Sequence, residues 1–158
     1  MNKETTVLLI EDSEDDVLLF KRAVTKSSFI YRIHDARSGL EAMDYMNGKG
    51  EFANRDKFPF PKFIITDEGM PLVSGTDFLQ WLKNHPQLSV VPIILLGGSG
   101  APADVEHAYE KLGIQAYIIK PASQQELEHV VKLIFEFWAV CEVPVWKLKK
   151  AARELTQT

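Results

Sequence analysis

The alternation of short apolar segments with helical patterns along the chain limits its fold more than any other feature. Segments of strand length lie at 6–10, 29–34, 63–67, 90–96 and 115–119. Each is followed by a stretch in which apolar residues recur at helical spacing. Strands that alternate with helices pair in parallel, because right-handed crossovers place the helices on both faces of one sheet. We therefore predict an α/β domain with a doubly wound sheet of five parallel strands in the order 2-1-3-4-5.

The 158 residues fit one domain, with residues 1–140 in the domain and 141–158 as a C-terminal extension that could be helical. The extension is too short for an output domain. The single cysteine, Cys141, excludes disulfides within the chain and a cysteine-clustered metal site. No signal peptide or membrane-spanning stretch is visible, so we expect a cytoplasmic protein that does not contact a membrane. A net charge of −4 disfavours nucleic-acid binding.

Carboxylates follow two of the predicted strands at the point where each strand ends. Glu11 and Asp12 come directly after the first strand, and Asp67 ends the third. A carboxylate such as Asp67, taken alone, is more often a turn former, but strands 1 and 3 are predicted neighbours whose carboxyl ends share one edge. Three acids gathered there would repel one another unless a hard divalent cation such as Mg²⁺ joined them. Three further acids are assigned to the favourable charge at a helix start: Glu14, Asp15 and Asp16.

Lys120, at the end of the fifth predicted strand, brings a positive charge to the same edge. It could pair with Asp67 or neutralise a phosphoryl oxygen, and a metal ion together with a lysine recurs in sites of phosphoryl transfer. Asp67 would then be a nucleophile that carries an acyl phosphate. The Gly-Gly-Ser-Gly segment at 97–100 is by itself only a weak indication of phosphate binding.

These segments together resemble the receiver domain of two-component response regulators, which has a flavodoxin-like fold. The resemblance covers roughly residues 5–140 and rests on three separated motifs, in this order: Leu-Leu-Ile-Glu11-Asp12, Ile-Ile-Thr-Asp67-x-x-Met70-Pro71 followed by Gly75, and Tyr117-x-x-Lys120-Pro121. The tail and the long linker before the third strand are similar to single-domain regulators that serve bacterial phytochrome kinases. This narrower similarity depends on Phe137-Trp138 and Val143-Pro144.

The resemblance implies that Asp67 accepts a phosphoryl group from a sensor histidine kinase or a phosphotransfer protein, and that the change is passed to a downstream protein target. Such a protein catalyses at most its own phosphorylation and dephosphorylation. The ligands of Mg²⁺ would be the side chains of Glu11, Asp12 and Asp67 and the backbone carbonyl of Gly69. The phosphoryl group would contact Lys120 and the segment Gly97-Gly98, and Tyr117 matches the aromatic residue of the family's conformational switch.

Gly97 departs from the family pattern, because a threonine or serine hydroxyl normally contacts the phosphoryl oxygen at this position. The Gly98 amide could still donate a hydrogen bond to phosphate, so the departure bears on the coupling to Tyr117 more than on capture of the phosphoryl group. One alternative is a degenerate receiver whose interactions do not depend on phosphate. Another is a small Mg²⁺-dependent phosphatase, although Gly69 stands where enzymes of that kind have a second aspartate.

The last predicted helix carries more apolar residues than one buried face requires. Apart from its core stripe it has four: Leu133, Phe135, Phe137 and Val140. A second covering surface is therefore needed. We expect a homodimer or a partner protein to use the last helix and tail, in preference to coverage by residues 143–146 alone. The basic segment 147–153 is interpreted as a solvated helical face, with an acidic partner as the alternative.

Overall fold

The computed structural model describes residues 5–28, 30–68 and 75–156. Its strands are β1 (Thr5–Ile10), β2 (Tyr31–Ala36), β3 (Phe63–Asp67), β4 (Ile93–Gly97) and β5 (Ala116–Ile119). Its helices are α1 (Glu14–Lys26), α2 (Gly39–Asn47), α3 (Gly75–Lys83), α4 (Pro102–Lys111), α5 (Gln124–Val140) and α6 (Val145–Thr156), with a short 3-10 helix at Gly50–Ala53. Among the helices described, none is long and apolar enough to cross a bilayer.

All strand pairs are parallel, and the strand order is β2-β1-β3-β4-β5, which confirms the predicted topology. The register aligns the carboxyl ends of the strands. Ile10 pairs with Thr66, so the residues that follow them, Glu11 and Asp67, lie side by side. Gly97 pairs with Ile119, which places Lys120 at the same edge. The predicted site therefore lies where the strand ends converge.

Alternate strand residues face two separate apolar cores, one on each side of the sheet. Val7 and Leu9 of β1 face α1 and α5, whereas Leu8 and Ile10 face α2 and α3. The three central strands are buried on both faces, as expected for a parallel sheet covered by helices. The strand predicted from residue 29 begins at Tyr31, and Phe29 lies outside the described residues.

Helix α6 is packed into the domain rather than projecting from it. Leu148 has no solvent exposure and belongs to the same core as Leu8 and Phe78. Val143, in the connection before α6, is also buried. The C-terminal segment therefore extends the core on the α2 and α3 side of the sheet.

Helix α5 buries one of the four apolar residues that were predicted to lie outside its core stripe. Phe135 is fully buried and packs edge-on against Tyr31 and Phe63, so the expectation for Phe135 was wrong. The buried face of α5 is wider than the core stripe that helical spacing predicts, and it includes position 135. The other three remain exposed, at 52% for Leu133, 60% for Phe137 and 82% for Val140.

Candidate functional site

Three carboxylates meet at the carboxyl edge of the sheet. One oxygen from each of Glu11, Asp16 and Asp67 lies within 4.8 Å of the other two. Glu11 is buried, whereas Asp16 and Asp67 are half-buried. All three offer oxygen, the ligand atom that Mg²⁺ and similar hard cations prefer, so the donor chemistry fits such an ion.

The first turn of α1 carries Asp16 to this group. Ser13 caps the helix, since its hydroxyl oxygen accepts a hydrogen bond from the Asp16 backbone N–H at 3.3 Å. Glu11 in turn accepts from the Ser13 backbone N–H at 3.1 Å through Oε1. Asp16 stands three residues after the cap, a position from which an acidic side chain can reach back past the helix start, and this spacing is the sequence signal that could have identified it as more than a helix-start charge.

Two of the predicted metal ligands are not in this group. Asp12 is exposed, and its side chain is among the causes that raise the pKa of Glu11. Gly69 lies outside the described residues, as do Met70 and Pro71 of the same motif.

Lys120 lies among the three carboxylates. Its backbone N–H donates to the Gly97 carbonyl at 2.8 Å, which fixes the chain just beyond β5. Its Nζ lies 2.7 Å from Asp67 Oδ2, 3.3 Å from Asp16 Oδ2 and 3.7 Å from Glu11 Oε2. One ammonium group therefore compensates part of the negative charge of the three acids.

The crowding of charge changes the proton affinity of the site. Burial, together with hydrogen bonds to Asp67 and Asp12, raises the pKa of Glu11 to about 8, although the Ser13 N–H opposes the change. Partial burial lowers the pKa of Lys120, but its hydrogen bond to Asp67 and the charges of the nearby acids outweigh burial and raise it. Lys120 is therefore fully protonated near neutral pH. A further positive charge beside Glu11, Asp16 and Asp67 would stabilise the ionised form of these three acids.

Gly97 and Tyr117 are in direct contact at the end of β4. A Cβ atom added to Gly97 would overlap the hydroxyl oxygen and Cζ of Tyr117. The Tyr117 hydroxyl donates to the Ser99 carbonyl at 2.5 Å and lies 3.5 Å from Glu68 Oε2. Gly98 is exposed, with open space where a Cβ would be.

Comparison with known proteins agrees with this architecture. The family model for the response regulator receiver domain matches residues 7–132. Response regulator Rcp1 of Synechocystis sp. is 31% identical over 137 residues, covering 87% of this chain and 90% of Rcp1.

Two solved structures are similar to this chain in three dimensions as well as in sequence. The phosphorylated cyanobacterial phytochrome response regulator RcpA superimposes with a TM-score of 0.80 at 31% identity, over 90% of this chain and 99% of the RcpA chain. The Mn²⁺-bound form of Rcp1 gives a TM-score of 0.77 at 29% identity, over 89% and 99% of the two chains. The family match, the strand order and the acidic edge of the sheet lead to one conclusion: the chain belongs to the response regulator receiver domains of two-component signalling.

Proposed function

We propose that Asp67 is the phosphoacceptor of this chain and that a sensor histidine kinase or a phosphotransfer protein is the donor. The observation that carries the proposal is the environment of Asp67. Its side chain is 12% exposed, forms an ion pair with Lys120 Nζ at 2.7 Å, and shares an edge of the sheet with Glu11 and Asp16. A carboxylate that remains accessible beside a fixed ammonium group can attack phosphorus while charge on the phosphoryl oxygens is neutralised.

The proposed phosphoryl transfer is a displacement at phosphorus, in which one bond forms and one breaks. An oxygen of Asp67 attacks the phosphorus of a phosphohistidine, the new O–P bond forms, and the P–N bond breaks. The imidazole nitrogen retains the electron pair of that bond and takes a proton from solvent. Lys120 stays protonated throughout and interacts with the negative oxygens, while the Gly98 amide is proposed to donate a hydrogen bond to one of them.

Mg²⁺ is the proposed cofactor, and the Mn²⁺-bound structure of Rcp1 supports a divalent cation in this family. The residues proposed to hold it are Glu11, Asp12, Asp67 and the carbonyl of Gly69, to which the geometry adds Asp16. When bound, the ion supplies positive charge to the transferring phosphoryl group. The chain's own contribution is to keep its carboxylates close together at a partly buried site, where burial and then the neighbouring acid Asp67 raise the pKa of Glu11.

The similarity to phytochrome response regulators favours a kinase of the phytochrome type as donor. A second copy of the chain is the proposed occupant of the exposed stripe on α5, which we define as Leu133, Phe137 and Val140. These residues are spaced four and three apart, so they form one continuous apolar strip. The proposed output is a change in protein contacts, received by a downstream protein.

The test is to incubate the protein with Mg²⁺ and acetyl phosphate and to measure the mass of the intact chain. One added phosphoryl group that is lost in Asp67→Asn supports the proposal. The second candidate, a degenerate receiver, is favoured by Gly97, which removes the hydroxyl expected at that position; the absence of any adduct would support it. Continuous release of phosphate from several monoesters would instead indicate a phosphatase.

A further inference from the structure

Two tyrosines, Tyr109 of α4 and Tyr117 of β5, take part in the hydrogen bonds that link β5 to α4 and to the loop before α4. The Tyr117 backbone N–H, on the edge strand β5, donates to the hydroxyl oxygen of Tyr109 in α4 at 2.9 Å. The Tyr117 hydroxyl donates in turn to the carbonyl of Ser99, just before α4, at 2.5 Å. The last turn of α4 and the loop before α4 are therefore hydrogen-bonded to the same residue of β5. We call Tyr109, Tyr117 and Ser99 the tyrosine clasp.

Gly97 provides the space that the clasp requires. Its φ is not among the left-handed values, which among the described glycines belong to Gly48, Gly50 and Gly113, so its backbone would accept another residue. A side chain there is excluded for a different reason, because its Cβ would overlap the Tyr117 ring. Tyr117 thus occupies the volume that a side chain at position 97 would fill.

A second glycine in the same loop also lies close to β5, although an added Cβ there would meet only the flexible end of a side chain. The Cβ position of Gly100 lies 3.0 Å from Ile119 Cδ1. Ile119 and Tyr117 are two residues apart and lie on the same face of β5. Two glycines of the β4–α4 loop therefore let two side chains of β5 approach the backbone closely, which joins loop, helix and strand into one unit.

We propose that the tyrosine clasp holds α4 and β5 in one arrangement whether or not Asp67 carries a phosphoryl group, so that this surface is constant rather than switched. The inference rests on the proposed phosphoacceptor role of Asp67. No hydroxyl at position 97 can move toward a phosphoryl group and vacate space for Tyr117, because Tyr117 already fills that space. Outward rotation of Tyr117 would break its hydrogen bond to Ser99 and leave a void over Gly97. A signal from Asp67 must therefore leave by another surface.

The experiment uses full-length protein labelled with fluorotyrosine and amide nitrogen-15, with resonances assigned from Tyr→Phe variants. Beryllofluoride with Mg²⁺ serves as the phosphoryl analogue. We expect amide signals near Asp67 to shift on its addition, while the fluorine resonances of Tyr109 and Tyr117 stay in place. A shift of the Tyr117 resonance comparable with that of the amides near Asp67 would overturn the proposal.

The unliganded protein provides a test that is independent of phosphate. Gly97→Ala should displace the Tyr117 resonance toward its solvent-exposed position, whereas Gly98→Ala, whose added Cβ meets open space, should leave it unchanged. Tyr109→Phe removes the acceptor of the Tyr117 N–H and should speed hydrogen exchange of that amide roughly fivefold. If Gly97→Ala leaves Tyr117 in place, or Tyr109→Phe does not change the exchange rate, the clasp does not hold the unit.

These two arms separate the two proposals. If the analogue moves no amide near Asp67, the phosphoacceptor role fails, and the unliganded variants alone decide whether the clasp exists. If the analogue binds and Tyr117 responds, the phosphoacceptor role stands and the constant surface is wrong.

Discussion

Lys120 Nζ lies 2.7 Å from Asp67 Oδ2 although the two residues are 53 positions apart in the chain. The contact forms because β3 and β5 end at the same edge of the sheet, separated by β4.

Replacing Lys120 with Gln removes the ammonium group but keeps a side chain of similar length. We expect phosphorylation by acetyl phosphate to slow about 100-fold, as when one electrostatic stabiliser of a transition state is lost. The time course of the intact mass measures this, with the exposed Lys132→Gln as control; equal rates for both variants would remove Lys120 from the reaction.

Asp16 provides the sharpest test of the carboxylate group, because Asp15 beside it is exposed and offers a matched control. Asp16→Asn should weaken Mg²⁺ binding by about tenfold, since a carboxylate close to the ion would lose its charge. Asp15→Asn should change the affinity little. Titration calorimetry on both variants gives the comparison. Equal affinities in the two variants would mean that Asp16 only pairs with Lys120 and does not contribute to cation binding.

The described site shows which parts of a receiver domain can be predicted from sequence. The apolar runs and the carboxylates after them fix the strand order and bring Glu11 next to Asp67, because the register of parallel strands aligns their ends. The place of Asp16 depends on how α1 leaves the sheet, and its charge alone fits a helix start equally well. The overlap of Tyr117 with position 97 depends on a side-chain rotamer, which a motif does not specify.

The linker before β3 shows the same limit in the fold. Its glycines and prolines predict a connection, yet Arg55 orders it by donating to the carbonyls of Tyr45 and Met46, at the end of α2, at 2.7 and 2.8 Å. A single arginine in a polar stretch gives no indication of these partners. The linker is therefore structured by a tertiary contact that local sequence does not reveal.

The buried side chain of Leu148 should give α6 a large contribution to the free energy of unfolding. The side chain is fully buried in the core, so Leu148→Ala should lower the free energy of unfolding by about 2–5 kcal/mol, through lost transfer energy and the cavity left behind. The nearby Trp146 is 64% exposed, and Trp146→Ala should cost about 1 kcal/mol or less. Urea unfolding followed by circular dichroism measures both. Equal losses would contradict the burial of Leu148.

Asp35 should contribute stability that depends on pH. Partial burial raises the pKa of Asp35, but hydrogen bonds and charges from Lys21 and Arg37 outweigh it, so its pKa in the folded protein is below the ordinary value. Stability from such a carboxylate is fully present above the pKa of the unfolded chain, about 3.9, and is lost as the pH falls through the folded value. Asp35→Asn should therefore cost about 1 kcal/mol at pH 7, with the difference from wild type closing toward pH 3. Urea unfolding at pH 7 and pH 3 tests this, and a difference that is undiminished at pH 3 would exclude the carboxylate charge as its origin.

The exposed stripe on α5 predicts that two copies of the chain associate through it. A charged side chain introduced into the stripe should abolish this association. Phe137 lies between Leu133 and Val140 on this strip and is 60% exposed, so a glutamate there would face its counterpart across a two-fold interface made of the same residues. Burying that charge against an apolar partner is unfavourable, and Phe137→Glu should shift the protein to the monomer. Leu40, 55% exposed on α2, is a matched control, and Leu40→Glu should leave the oligomeric state unchanged. Sedimentation velocity over a range of concentrations distinguishes the outcomes: a wild-type chain that stays monomeric, or a dimer that tolerates Phe137→Glu, would show that the stripe does not bind a second copy.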